Sequence, residues 1–137
     1  MSDAVWAMQT AVYDRLTADA RVRAVVGEPP RVYDGAPEDA VFPYIAIGEA
    51  RTSDYPGVPG AIEHDLRLYA YSRYSGRREV KRIMSAVYDA LHDAAFSVPG
   101  WRLANFRYVF ADVLGRREPD TFQGVMRYRA LTEPLAA

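Results

Sequence analysis

Chemistry in a protein needs particular side chains at particular spacings, and this chain offers few. Its two histidines, His64 and His92, share no H-x-x-x-H-type spacing that would set two imidazoles on one helix face, so no metal site is expected. His64 falls on the apolar phase of an alternating stretch and reads as a satisfied core or edge histidine rather than a base or ligand. His92 lies near the polar side of a helical pattern. With no cysteine there is no disulfide, no thiolate nucleophile and no cysteine-held zinc. The carboxylate pair Glu38 and Asp39 sits in a polar stretch where solvent leaves it untuned. Neither a G-x-S-x-G elbow nor a G-x-x-x-x-G-K loop is present, and Gly57-Val58-Pro59-Gly60 places prolines where a nucleotide loop would enter a helix. Neither an enzyme nor a cofactor site is expected.

One charge pattern is less ordinary. The longest helical pattern begins with Arg77, Arg78, Lys81 and Arg82 and carries Asp89 and Asp93 toward its end. Cations at a helix N-terminus and anions at its C-terminus oppose the macrodipole, each costing roughly 0.3–1 kcal/mol before screening, and Glu79 offsets only part of that. Two readings follow: a solvated face whose cost is outweighed elsewhere, or an interface. In a head-to-tail ring the basic end of one subunit meets acidic surface on the next.

The elements that position these groups follow from periodicity. From Ile62 to Tyr71 apolar and polar residues alternate, as in a half-buried strand. Beyond Gly76, Val80, Ile83, Met84, Val87, Tyr88, Leu91, Ala94 and Ala95 recur at steps of three and four, predicting a helix to about Ala95 with Ser75 as N-cap. Ser2 caps a first helix through Val5, Met8, Val12 and Leu16, with Trp6 and Tyr13 seven apart beside that stripe. Thr17 reads as a second cap, opening a short helix that Gly27 ends. A short strand at Arg31–Gly35 and a strand from about Tyr44 to Glu49 come next.

Ala50 to Ala61, with two prolines, two glycines and no periodicity, reads as a long loop presenting Tyr55 and Val58 at an exposed tip. Two last strands, about Trp101–Leu114 and Thr121–Glu133, form a hairpin through a turn containing Arg116 and Arg117. The first of them is apolar on both faces. Either a bulge near Asn105 switches its phase, or one face meets the core and the other a second subunit.

At 137 residues the chain is expected to be one domain, residues 1–137, able to bury roughly 68% of its unfolded surface. The expected fold is α+β: a mainly antiparallel sheet of two hairpins plus a short strand, packed against one long helix and an N-terminal helix pair. No stretch approaches the roughly 20 apolar residues of a membrane span, and no signal peptide is seen. A net charge of −1 provides no basic field for nucleic acid.

Several strings together resemble the tail terminator, or tail completion, proteins of long-tailed phages and gene transfer agents. They are Val12-Tyr13-Asp14-Arg15-Leu16, Arg31-Val32-Tyr33-Asp34, Phe42-Pro43-Tyr44-Ile45-Ala46-Ile47-Gly48-Glu49, Tyr69-Ala70-Tyr71-Ser72-Arg73 and Gly124-Val125-Met126-Arg127-Tyr128-Arg129-Ala130. Tyr71 stands where family members often have tryptophan. The resemblance implies a structural protein of the virion tail, built in the bacterial host cytoplasm, and a homo-oligomeric ring, usually of six copies, at the head-proximal end of the tail tube. Such a ring ends tube polymerisation, meets the major tail tube protein and the head connector or stopper protein, and lets DNA through its lumen without sequence-specific binding. By analogy, subunit contacts are expected at Arg77, Arg78, Lys81, Arg82, Asp89 and Asp93 and on the exposed face of the second hairpin. Tyr55, Val58, Arg116 and Arg117 are the expected tube or connector contacts. The alternatives are a neck or connector component of the same particle, and a small-molecule-binding domain with a polar cavity near His64.

Overall fold

The computed structural model describes residues 4–74, 76–115 and 121–135, as two layers. Element order is α1 (Ala4–Ala18), α2 (Ala20–Val26), β1 (Val32–Tyr33), β2 (Tyr44–Asp54), β3 (Ile62–Ser72), α3 (Arg78–Leu91), β4 (Trp101–Gly115) and β5 (Phe122–Pro134). The five strands lie in the order β1-β2-β3-β5-β4. β1 runs parallel to β2 and every other neighbour is antiparallel, so the expected α+β sheet is mixed rather than wholly antiparallel.

All three helices cover one face of the sheet. α1 buries Ala4, Ala7, Met8, Ala11, Val12 and Leu16, and α3 buries Val80, Ile83, Ala86, Val87, Ala90 and Leu91, the stripes that steps of three and four produce. They meet Ile45, Leu66, Leu68, Ala70, Phe106, Met126, Tyr128 and Ala130 from the sheet. α3 comes so close to β5 that a Cβ on Gly124 would lie 2.6 Å from Met84 Sδ and 3.1 Å from Val80 Cγ2. Arg15 ties the helices together by donating from Nε to the Ala90 carbonyl (2.8 Å), one of the last-turn carbonyls with no intrahelical partner.

The other face of the sheet has no helix, and its charges neutralise one another across strands. Arg127 pairs with Asp65, Arg129 lies 3.9 Å from Glu63, and Arg102 donates to Glu133 at 2.8 Å. The Arg127 guanidinium holds the Asp65 carboxyl below its ordinary range. Tyr44 stacks on Tyr71 (4.9 Å between centroids), and the Arg73 guanidinium lies 4.2 Å over Phe42, so separate aromatic strings of the sequence meet in space.

Five local expectations are corrected or refined. β2 does not stop at Glu49: a bulge at Gly48–Glu49 resets its register, and Ala50–Asp54 then pair with Leu66–Ile62. That bulge breaks the alternation, and the polar strand beyond it looks like loop; the true connection is residues 55–61. α3 ends at Leu91 rather than Ala95, because Asp93 turns into the left-handed region (φ 54) and gives its N–H to the Phe106 carbonyl at 2.8 Å. α1 continues through Thr17, whose hydroxyl bonds back to the carbonyls of Tyr13 and Asp14. Asp19 is the cap of α2, accepting from the N–H groups of Arg21 (2.8 Å) and Val22 (3.3 Å). In β4 there are two bulges, between Leu103 and Asn105 and between Tyr108 and Phe110, which bring Trp101, Leu103, Phe106, Tyr108, Ala111 and Val113 onto the helix side. The expected caps Ser2 and Ser75 lie outside the described residues; Arg77 holds the N-cap position of α3 with no side-chain cap bond.

Candidate functional site

α3 presents its charged side to solvent because its apolar stripe is spent on the sheet. The first two turns carry Arg78, Lys81 and Arg82, with Arg77 at the N-cap position, and α2 contributes Arg21 across a shallow groove of about 750 Å³ floored by Ala24, Val25 and Ala86. Five cations and a single carboxylate, Asp89, line it. Arg21 is held by Asp19, through Nε–Oδ1 at 3.1 Å and a second contact at 2.8 Å, which lowers the Asp19 carboxyl and raises the guanidinium. Arg77 lies 5.3 Å over the Phe122 ring. Arg78, Lys81 and Arg82 are exposed and make no ion pair among the described residues. Glu79, the one acid in the first turn, accepts from the Ser72 hydroxyl at 2.7 Å instead.

The fold therefore brings Arg77, Arg78, Lys81, Arg82 and Asp89 together, and separates Asp93 from them. Asp93 lies beyond the helix, 3.3 Å from Arg107 and 3.2 Å from His92 Nε2. His92 accepts the Tyr108 backbone N–H at Nδ1 (3.1 Å) and stacks on Tyr88, so it fixes the exit of α3. Arg21 was not among the expected residues, since nothing in the local sequence of α2 announces that it faces α3. Tyr55 is exposed beside the uncovered sheet face with Glu63 and Arg107, and Val58 is half-buried in the turn. Arg116 and Arg117 lie outside the described residues.

His64 offers no opening for a ligand. It is 1% exposed, its Nε2 is 2.9 Å from Thr132 Oγ1, and burial lowers its pKa to about 4. No group of three or more His, Asp or Glu side chains is placed to hold a metal ion among the described residues, where no helix is long and apolar enough to cross a membrane.

A second cleft lies beside the first. α3 rests over β3, β5 and the Phe106 part of β4 but leaves the far end of β4's helix side open, and a hollow of about 670 Å³ remains between Met84 and Tyr88 of α3 and Tyr108, Ala111 and Val113 of β4. Tyr128 forms its floor, wholly buried, with a hydroxyl that has no hydrogen-bond partner among the described residues. An open row of cations beside an apolar slot is surface of the kind that protein docking uses.

Comparison with known proteins agrees with that character. A chain from the virion of a native gene transfer agent particle matches with TM-score 0.85 and 28% identity, covering 95% of this chain and 97% of that one. No curated protein matches. The family model of the tail completion protein gp17 matches residues 10–133, nearly the whole of both layers, and the chain belongs to that family of structural virion tail proteins.

Proposed function

We propose that this protein forms a ring of six copies at the head-proximal end of a tail tube, stops the tube from growing and presents the surface on which the head is joined. The observation that carries the reading is the end-to-end likeness, in fold and in sequence, to a chain of a gene transfer agent virion. The surface chemistry supports it: the cations Arg78, Lys81 and Arg82, which pair with no acid among the described residues, and the apolar slot beside them are exposed on a monomer and have the character of subunit contacts. In this reading the major tail tube protein and a head connector or stopper protein are the neighbours, Tyr55 and Val58 lie among the contacts to them, and DNA passes through the lumen without sequence-specific contact. The particle is built in the host cytoplasm.

Deleting the gene in its source and viewing the particles by negative-stain electron microscopy tests this directly. Filled heads beside unattached, overlong tails are expected. Tails of normal length without heads would instead make the protein a neck or connector component, and normal joined particles would remove the virion role.

A further inference from the structure

We propose that the cleft between α3 and β4 is the seat of helix α1 from a second copy of this chain, with Trp6 as the anchoring side chain. This rests on the ring reading and names two surfaces that close it.

The first observation is a gap in the helix layer. α1 lies over β1 and β2 at one margin of the sheet and α3 over β3, β5 and the Phe106 part of β4, whereas the helix side of β4 at Ala111 and Val113, on the opposite margin, is left open. The second is that α1 is apolar on the side it does not bury. Trp6 is 66% exposed and Tyr13 is 41% exposed, seven residues apart on the outer face and flanking a small hollow with Asp34 and Ile47. Two large aromatic side chains exposed together on one helix face make apolar area of the kind that anchors interfaces.

The two surfaces also complement each other chemically. The outer side of α1 and its neighbouring loop expose the acids Asp14 and Asp34, while Arg15 is turned inward to Ala90 and Phe96. On the rim of the cleft stand Lys81 and Asp89, with Arg78 and Arg82 adjoining, so the rim is basic on balance. Beneath the partly exposed rings of Tyr88 and Tyr108 the cleft holds the Tyr128 hydroxyl, which has no partner among the described residues, a buried polar group that an incoming segment can satisfy. Because the two surfaces differ and lie at opposite margins of the sheet, the contact is heterologous; repeated around an axis it closes a ring and continues the helix layer from copy to copy.

The chain has no cysteine, so introduced ones report cleanly. Thr10→Cys and Val113→Cys, placed in one chain and treated with a short bis-maleimide in assembled particles, are expected to give a ladder of covalent multimers of this chain. Each single variant should give none. Trp6→Ala is expected to weaken association by about 10-fold or more while leaving the urea midpoint of the monomer unchanged. Val113→Arg, which fills the slot, should weaken association from the other side, with the urea midpoint measured beside it because Val113 packs partly against the core. Rings seen by microscopy with no ladder, and with both variants associating normally, would overturn this interface and leave the ring standing. Cross-linking of position 10 to a different virion protein would also overturn it. Particles containing no ring of this chain would overturn the ring reading and this proposal together.

Discussion

His64 illustrates how one side chain can couple the core to pH without serving any chemistry. Its imidazole is buried and bonded to Thr132 alone among the described residues, so burial disfavours the cation and the folded pKa drops to about 4. The unfolded chain takes up a proton near pH 6.5 while the folded chain does not, and stability therefore falls as pH drops from about 6.5 toward 4. The shift corresponds to roughly 3 kcal/mol at its full extent. Urea titrations at stepped pH should show that loss, and His64→Gln, which keeps a hydrogen-bonding group toward Thr132, should remove most of the slope. Equal slopes in the two proteins would mean that another group carries the effect. The position was legible in the sequence because His64 stands in phase with Ile62, Leu66 and Leu68. The cap of α2 was less so, since Thr17 and Asp19 are both competent to cap and only the continuation of α1 through Ala18 decides between them. Asp19→Ala is accordingly expected to lose about 1 kcal/mol in urea denaturation, and Thr17→Ala much less. The lowered Asp19 carboxyl contributes at neutral pH and is lost only below its ordinary range, clear of the His64 window.

At the scale of elements, the packing of α3 on β5 turns on the missing side chain of Gly124. A Cβ there meets Met84 Sδ at 2.6 Å and Val80 Cγ2 at 3.1 Å; the methionine end can move, but the valine, fixed on the helix backbone, yields far less. Gly124→Val should therefore cost about 2 kcal/mol through overpacking, and adding Met84→Ala should restore part of it, a coupling that a double-mutant cycle in urea would measure. Additive losses would show that the helix simply shifts. Elements built on one clean period, α3, β3 and β5, were readable from sequence to within a few residues. β2 was not, because a bulge inserts a residue without changing composition, so the apolar phase flips midway and the polar continuation resembles loop. The extent of β4 and the bulge near Asn105, one of two readings of its two apolar faces, were legible, while the second bulge between Tyr108 and Phe110 was not. In β4 the flip happens twice, which returns Ala111 and Val113 to the helix side and leaves Phe110 and Leu114 exposed on the other.

On the whole molecule, a net charge of −1 conceals a strongly divided surface. The reversed charge order along α3 was visible in the sequence, but its gathering with Arg21 into one groove was not, because it depends on how α2 folds back on α3. The exposed cations at the start of α3 oppose its dipole, so they cost the monomer something, and that separates two explanations of why they are there. If Arg78, Lys81 and Arg82 are simply solvated, replacing all three by glutamate should leave assembly intact. If they are subunit contacts, the triple variant Arg78→Glu, Lys81→Glu, Arg82→Glu should fail to form rings or to cap tails, while the monomer melts at the same temperature or higher, since glutamates near a helix N-terminus gain roughly 0.3–1 kcal/mol each. Assembly and monomer stability moving in opposite directions cannot be produced by unfolding. Thermal melting of the purified monomer beside microscopy of particles made with the variant gives both readouts, and wild-type association that weakens as ionic strength rises would mark the same contacts as electrostatic.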